Sequence, residues 1–145
     1  ERKPKNIFMS GPIPASFIGD SIQKHSSKTG IGAHSIFLGQ VRADVMGPGT
    51  VVAIDYSAYE EMALERMAEI REALFSKYDL TCMHVYHSLG TVAAGELCLF
   101  VFTSSRRRKA ATEACQEAVE LIKSELPIWG KEILENDSSQ WKVNR

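Results

Sequence analysis

The run from Leu97 to Thr103, LCLFVFT, restricts the fold more than any other stretch of this chain. It is apolar at successive positions rather than at alternate ones, so a strand made from it has both faces buried. Such a strand belongs at the centre of a sheet with cover on each side. The residues after it, TSSRRRKAATEACQEAVELIKSELPIWGKE, read as a helix opened by Ser104 or Ser105 as N-cap and closed by Pro127. Its expected buried face is Ala110 or Ala111 with Ala114, Ala118, Leu121 and Ile122, small enough for close packing.

That reading places Arg106, Arg107, Arg108 and Lys109 in the first helical turn. The helix macrodipole is positive there, so each cation is unfavourable by a few tenths of a kcal/mol. Stability alone favours Asp or Glu. A helix start with added arginines is a receptor for an anion such as phosphate. A solvated basic face is the competing reading, and the charge run by itself does not separate the two.

The remaining pattern supplies the other layers. Asn6–Ser10 reads as an edge strand after a polar lead-in, and Pro12 and Pro14 end it. Ala15–His25 forms a short helix with Phe17, Ile18 and Ile22 on one side. Ala33–Leu38 is a strand, with a bulge or a close approach permitted at Gly39, and Arg42 stands at its end. Val51–Tyr59 alternates as a second strand, able to pair with the first as a hairpin across MGPGT. Glu60–Tyr78 is a helix with the stripe Met62, Ala63, Met67, Ile70 and Leu74. Thr81–His87 is a third strand, and Leu89–Glu96 is a connection to the apolar run. The tail Ile133–Arg145 is polar apart from Trp141. We expect an α+β fold: a mainly antiparallel or mixed sheet packed with about three helices, hammerhead-like, in one domain over residues 1–145.

Composition removes whole classes of function. A net charge of −1 gives no global field toward nucleic acid or membrane, so neither is an expected partner. No apolar run is long enough to cross a bilayer as a helix. The opening ERKPKN is unlike a signal peptide, and because the chain starts at Glu1 rather than Met, further N-terminal residues are expected. Cys82, Cys98 and Cys115 form no CxxC pair, which fits free thiols in a reducing cytoplasm. A metal site from Cys82, His84 and His87 is disfavoured, because alternation sends His87 to the other strand face; no metal is expected.

GxGxxG, P-loop, GxSxG and HExxH motifs are all absent from the sequence. What the chain offers is separated cations: Arg42, Arg106–Lys109, Lys123, Lys131 and Arg145. Gathered together they suit a phosphorylated substrate. A lysine among them, desolvated beside other cations, loses proton affinity and can act as base or nucleophile. On one straight helix Arg107 and Lys123 stand about 24 Å apart. Either they do different work, or two copies of the chain share a site, as a two-fold dimer allows.

An ordered set of short motifs now becomes informative: GQVR at Gly39–Arg42, YEEMA at Tyr59–Ala63, His87 with Gly90, Gly95-Glu96, the Thr103–Arg107 opening, Lys123, PIWGKE at Pro127–Glu132, and Trp141. Together they resemble the large, catalytic subunit of molybdopterin synthase over nearly the whole chain from Ile7. The resemblance implies transfer of sulfur from the C-terminal thiocarboxylate of a small ubiquitin-like partner to cyclic pyranopterin monophosphate, forming the molybdopterin dithiolene. It implies a central homodimer of large subunits with a small sulfur-carrier subunit at each end, a heterotetramer. No cofactor is implied for this step. Molybdenum enters later through other proteins.

The resemblance also assigns residues. Gln40, Val41 and Arg42 fall in the substrate pocket. Arg106 and Arg107 align with a pair that binds the substrate's anionic end from the neighbouring subunit. Lys123 matches the essential lysine, Gly130, Lys131 and Glu132 match the second functional segment, and Arg145 falls near a C-terminal arginine. Two departures stand out. Arg106 occupies a position usually held by histidine, and unlike histidine it cannot exchange a proton at neutral pH. Gly130 occupies the position of a second functional lysine, so Lys131 is the expected substitute, reaching the pocket by a bend at Gly130. A non-catalytic subunit that docks a ubiquitin-like tail or a phospho-ligand is the alternative these departures leave open. His87-Ser88 also replaces a common His-Arg.

Overall fold

The computed structural model describes residues 5–47, 49–136 and 138–143. The elements run β1 (Phe8–Ser10), α1 (Ala15–Lys24), a 3-10 turn (His25–Ser27), β2 (Ala33–Gln40), β3 (Val45–Met46), β4 (Gly49–Ala58), α2 (Glu60–Lys77), β5 (Cys82–Ala93), β6 (Leu97–Ser105), α3 (Arg108–Glu125), β7 (Ile128–Leu134) and β8 (Ser139–Trp141). The sheet has the order β2-β6-β5-β4-β7-β8, with β1 on β5 and β3 on β4. All pairings are antiparallel except β1 with β5. The expected α+β class is the one observed.

The LCLFVFT run is an interior strand. β6 lies between β2 and β5, and its side chains part to the two faces as a pleat requires. Leu99 and Val101 join Met83 and Val85 of β5, Met67, Ile70 and Leu74 of α2, and Cys115, Ala118, Val119 and Ile122 of α3. Phe100 and Phe102 go to the other face and pack with Ile13 and Ile18. All four β6 residues are essentially inaccessible. Each contributes about 1.5–3 kcal/mol of burial relative to an exposed side chain. Ala111, Ala114 and Ala118 are fully buried, and these small residues let α3 approach the sheet closely.

β5 holds the two halves of the sheet together. Its residues 82–87 pair with β6 and its residues 90–93 with β4. The change of partner falls at Gly90, whose φ of +85° is one that other residues adopt only with strain.

The structure corrects several boundaries. β2 and β4 do not form a hairpin; β2 is an edge strand on β6, and the MGPGT turn instead joins the short β3 to β4. Leu89–Ala93 is strand rather than connection. Met62 is half exposed, because it falls off the face that α2 buries through Ala63, Met67, Ile70 and Leu74. β7 runs from Ile128 into the polar tail and β8 lies within it, strands the sequence does not signal because Gly130, Lys131 and Glu132 give no apolar alternation. Ser104 and Ser105 close β6 and do not cap α3. Ser104 bonds the His34 ring, and the Ser105 hydroxyl donates to the Asp79 carbonyl at 2.7 Å while accepting the Arg107 N–H at 3.3 Å. The helix therefore starts at Arg108, with Arg107 as its N-cap and no side-chain cap.

Candidate active site

Lys123 stands in the last turn of α3, where a cation suits the helix dipole. Its neighbour Ile122 is 3% exposed and anchors the turn in the main core. Two cavities meet at Lys123. One, of about 610 Å³, is lined by Phe37, Gln40, Arg42, Glu132, Trp141 and Lys142 among others. The other, of about 340 Å³, is lined by Tyr56, His87, Cys98, Trp129, Gly130 and again Lys142. Lys123 and Lys142 belong to both linings, so the two lysines stand where the cavities adjoin.

The larger cavity is built by the end of β2. A register shift between Gly39 and Gln40 breaks the ladder with β6, as bulges do near binding sites. Val41 then plugs into the core, 2% exposed, with its N–H bonded to the Glu96 carbonyl and its carbonyl to the Gly95 N–H. Val41 is thus an anchor and not a lining residue. It holds Gln40 and Arg42 at the rim. Arg42 is exposed and pairs with Asp44 at 3.2 Å; a surface pair of this kind is worth at most about 1 kcal/mol and yields readily to an anionic ligand. Glu132 is buried and accepts a hydrogen bond from Gln140 of β8 at 3.2 Å.

The smaller cavity has a neutral floor. His87 Nδ1 lies 2.7 Å from the Ser88 carbonyl, so that nitrogen carries the proton and donates it. Burial, and secondarily the Lys123 ammonium, push the His87 pKa down to about 4, the Ser88 hydrogen bond opposing the shift. Tyr56 meets the His87 ring edge-on at 5.1 Å. Burial, followed by Cys98 and then Glu132, drives its pKa upward. Both groups are therefore uncharged at neutral pH, and the charged residues lining this cavity are Lys123 and Lys142.

The expected second amine is not where the sequence suggests. Lys131 lines neither cavity. It sits on β7 opposite Asp55 and Trp141, its Nζ 5.9 Å from the Trp141 ring centre. The strand alternates, so Gly130 and Glu132 share one face and Lys131 takes the other. A side chain at Gly130 has no room: its Cβ would lie 2.8 Å from Ile54 Cγ2 and 3.2 Å from Tyr56 Cε1. Lys142 stands opposite Gly130 across the β7–β8 ladder. Its backbone N–H donates to the Gly130 carbonyl at 2.7 Å, and it is a lining residue of both cavities. Nothing in the sequence signals Lys142, because its position depends on β8 folding back along β7.

Arg106 and Arg107 line a separate cavity of about 490 Å³ with Gly32, Ala33, Arg108 and Lys109. Gly32 is bound to the Ser105 carbonyl at 3.0 Å, and a Cβ there would run into the Arg106 carbonyl oxygen. Within one chain this basic cavity is at the opposite end of α3 from Lys123. Arg145 lies outside the described residues.

A family model described as MoaE protein matches residues 14–125. The chain belongs to that family. Curated relatives agree: a protein of Drosophila grimshawi named molybdopterin synthase catalytic subunit is 43% identical over 115 residues, 78% of this chain and 32% of its own length. The Drosophila melanogaster protein of the same name is 40% identical over 118 residues, 80% of this chain and 32% of its own length. The chain thus spans about a third of the length of these relatives. Among solved structures, molybdopterin synthase from Staphylococcus aureus superposes with a TM-score of 0.83 at 29% identity, covering 99% of each chain. The complex of subunits 1 and 2 of the molybdopterin-converting factor from Helicobacter pylori shares the fold at TM-score 0.81 and 20% identity, over 95% of this chain and 90% of that one. The MoaE match ends at Glu125, so β7, which carries Gly130 and Glu132, β8 and the Lys142 that follows it lie beyond it.

Proposed function

We propose that this chain transfers sulfur from the C-terminal thiocarboxylate of a small ubiquitin-like carrier to cyclic pyranopterin monophosphate, building the dithiolene of molybdopterin. The observation that carries this reading is the pair of cavities meeting at Lys123 and Lys142. The larger has Arg42 and both amines for a phosphorylated pterin. The smaller is a slot between Leu126, Ile128 and Trp129, suited to an extended glycine tail. A thiocarboxylate delivered there meets the acceptor at the amines, which stabilise the negative charge that develops as sulfur is transferred.

Exposed tryptophans support a docking partner. Trp129 and Trp141 are 50% and 63% exposed at the two cavity mouths, and large exposed aromatics beside a pocket favour protein contact. The basic cavity at Arg106–Lys109 completes the site from a second copy of the chain, as the central homodimer of a heterotetramer allows. Three free cysteines suit a reducing cytoplasm, and no described helix is long and apolar enough to cross a membrane.

The closed space at Gly130 favours a docking subunit without catalysis as a second reading. Lys142 answers it by supplying an amine at the same place. Single-turnover conversion with a thiocarboxylated carrier separates the two: the transferase reading predicts product from the wild type and loss of product in Lys123→Ala with carrier binding intact. Carrier binding without product in the wild type supports the docking reading instead.

A further inference from the structure

On the sheet face opposite His87, three side chains from separate segments converge. His25 opens the 3-10 turn after α1, and Cys82 and His84 share one face of β5. Their ligand atoms, two imidazole nitrogens and a sulfur, all lie within 4.8 Å of one another. We propose that His25, Cys82 and His84 form a binding site for a divalent transition metal of the Zn²⁺ class.

The donor set matches that ion. Zinc takes imidazole nitrogen and thiolate sulfur at about 2.0–2.1 and 2.3 Å. Two nitrogens on one tetrahedral zinc are therefore about 3.3 Å apart. His25 Nε2 and His84 Nε2 are 3.1 Å apart. His25 is preset for the task, because its Nδ1 lies 2.7 Å from the Ser21 carbonyl and donates to it. That bond fixes the tautomer and leaves a lone pair on Nε2, the usual outer-sphere arrangement of a metal-ligating histidine. His84 Nε2–H therefore donates to His25 Nε2, and a metal ion takes that proton's place as the proton moves to His84 Nδ1.

The surroundings fit as well. Phe102 packs against His25 at 4.9 Å and against His34 at 5.0 Å, giving an apolar wall. A cavity of about 180 Å³, lined by Asp20, Ser21, Lys24, His25, His84 and others, opens onto the two histidines. It provides a path of entry and room for water at a fourth position. Lys28, exposed, donates to Cys82 Sγ at 3.0 Å. Its ammonium holds the sulfur in the cluster and competes with a cation for it, so binding requires Lys28 to swing into solvent. The bound ion ties the end of α1 to β5. Alternation keeps His87 off the strand face that carries Cys82 and His84; the third ligand is His25, brought in by the fold.

Titration of the reduced, metal-free protein with Co²⁺ tests the site. The expected result is one ion per chain with tetrahedral d–d bands and a thiolate-to-cobalt charge-transfer band. Cys82→Ser abolishes the charge-transfer band, while Cys98→Ser and Cys115→Ser keep it. His25→Gln weakens binding by at least about a hundredfold, since even outer partners of a metal ligand are worth about 10- to 100-fold. Lys28→Met tightens binding, an effect that an adventitious surface site does not show. Should Cys82→Ser fail to fold, His84→Gln replaces it, with altered d–d bands expected. Absence of a charge-transfer band in the wild type, or its survival in Cys82→Ser, overturns the proposal and leaves the cluster as polar packing only.

Discussion

The two ends of α3 solve opposite problems. The start gathers Arg106, Arg107, Arg108 and Lys109 from one continuous stretch around an open basic cavity. The finish places a single lysine, Lys123, where side chains from β2, β4, β5, β7 and the residues after β8 converge on it. One end is local in sequence. The other is assembled by the fold: Lys123 is itself exposed, but it stands over a floor of groups held neutral. A binding subsite can be built from neighbouring residues, whereas a site that must aim an amine at a bound substrate draws on distant strands.

The comparison breaks most visibly by complementation. Arg107→Ala and Lys123→Ala, each alone, are expected to lose most product formation. If the two ends act together across a dimer, mixing the variants restores about a quarter of the wild-type sites, because half the dimers are mixed and each carries one intact site. No recovery after verified subunit exchange means that both ends act within one chain or that they do not cooperate. Lys123→Ala itself is expected to lower the single-turnover rate by about 10²–10³, the scale for removing one preorganised charge-stabilising group, without a change in the denaturant midpoint.

A lysine at Gly130 sharpens the contrast from the other side. Gly130→Lys forces its stem into Ile54 and Tyr56, and overpacking of this kind costs about 1–3 kcal/mol. The readout is the urea midpoint. An unchanged midpoint means that the β4–β7 pair opens more easily than its packing indicates.

The smallest effect concerns pH. His87 is buried beside Lys123, Tyr56 and the Ser88 carbonyl; His84 faces His25, Lys5, Arg71 and Lys28. Both titrate at about 4 in the fold, against about 6.5 in an unfolded chain. Between these values the unfolded chain binds more protons, so the stability present above about pH 6.5 is lost as pH falls toward about 4. Urea titrations across that range read the slope, and His87→Gln should flatten it. A slope unchanged by that substitution would assign the loss to other groups.

Much of the fold was legible because burial wrote it into the chain. The unbroken run at Leu97–Thr103 marked the interior strand, and the 3.6-residue stripes of α2 and α3 marked their buried faces. The α3 boundary was misplaced because the Ser105 hydroxyl serves Asp79 and the Arg107 N–H, a use that no local pattern displays. At the site, Lys123, Gln40, Arg42, Gly130 and Glu132 were legible through motif resemblance, and the structure gathers them around the two cavities. Val41 was legible as part of a motif, but its side chain serves the core. Lys131 is one residue from the right place, and in a strand one residue is the opposite face. Lys142 and His25 were illegible because each acquires its neighbours only through tertiary structure.

The choice between Lys142 and Lys131 as the second amine is the account's sharpest claim. The most direct test is single-turnover sulfur transfer by Lys142→Ala and Lys131→Ala, side by side, with a thiocarboxylated carrier. The account predicts a fall of about 10²-fold or more for Lys142→Ala, the scale of one lost charge-stabilising group, and a rate near wild type for Lys131→Ala. The reverse pattern would contradict it, showing that β7 turns Lys131 into the site during reaction.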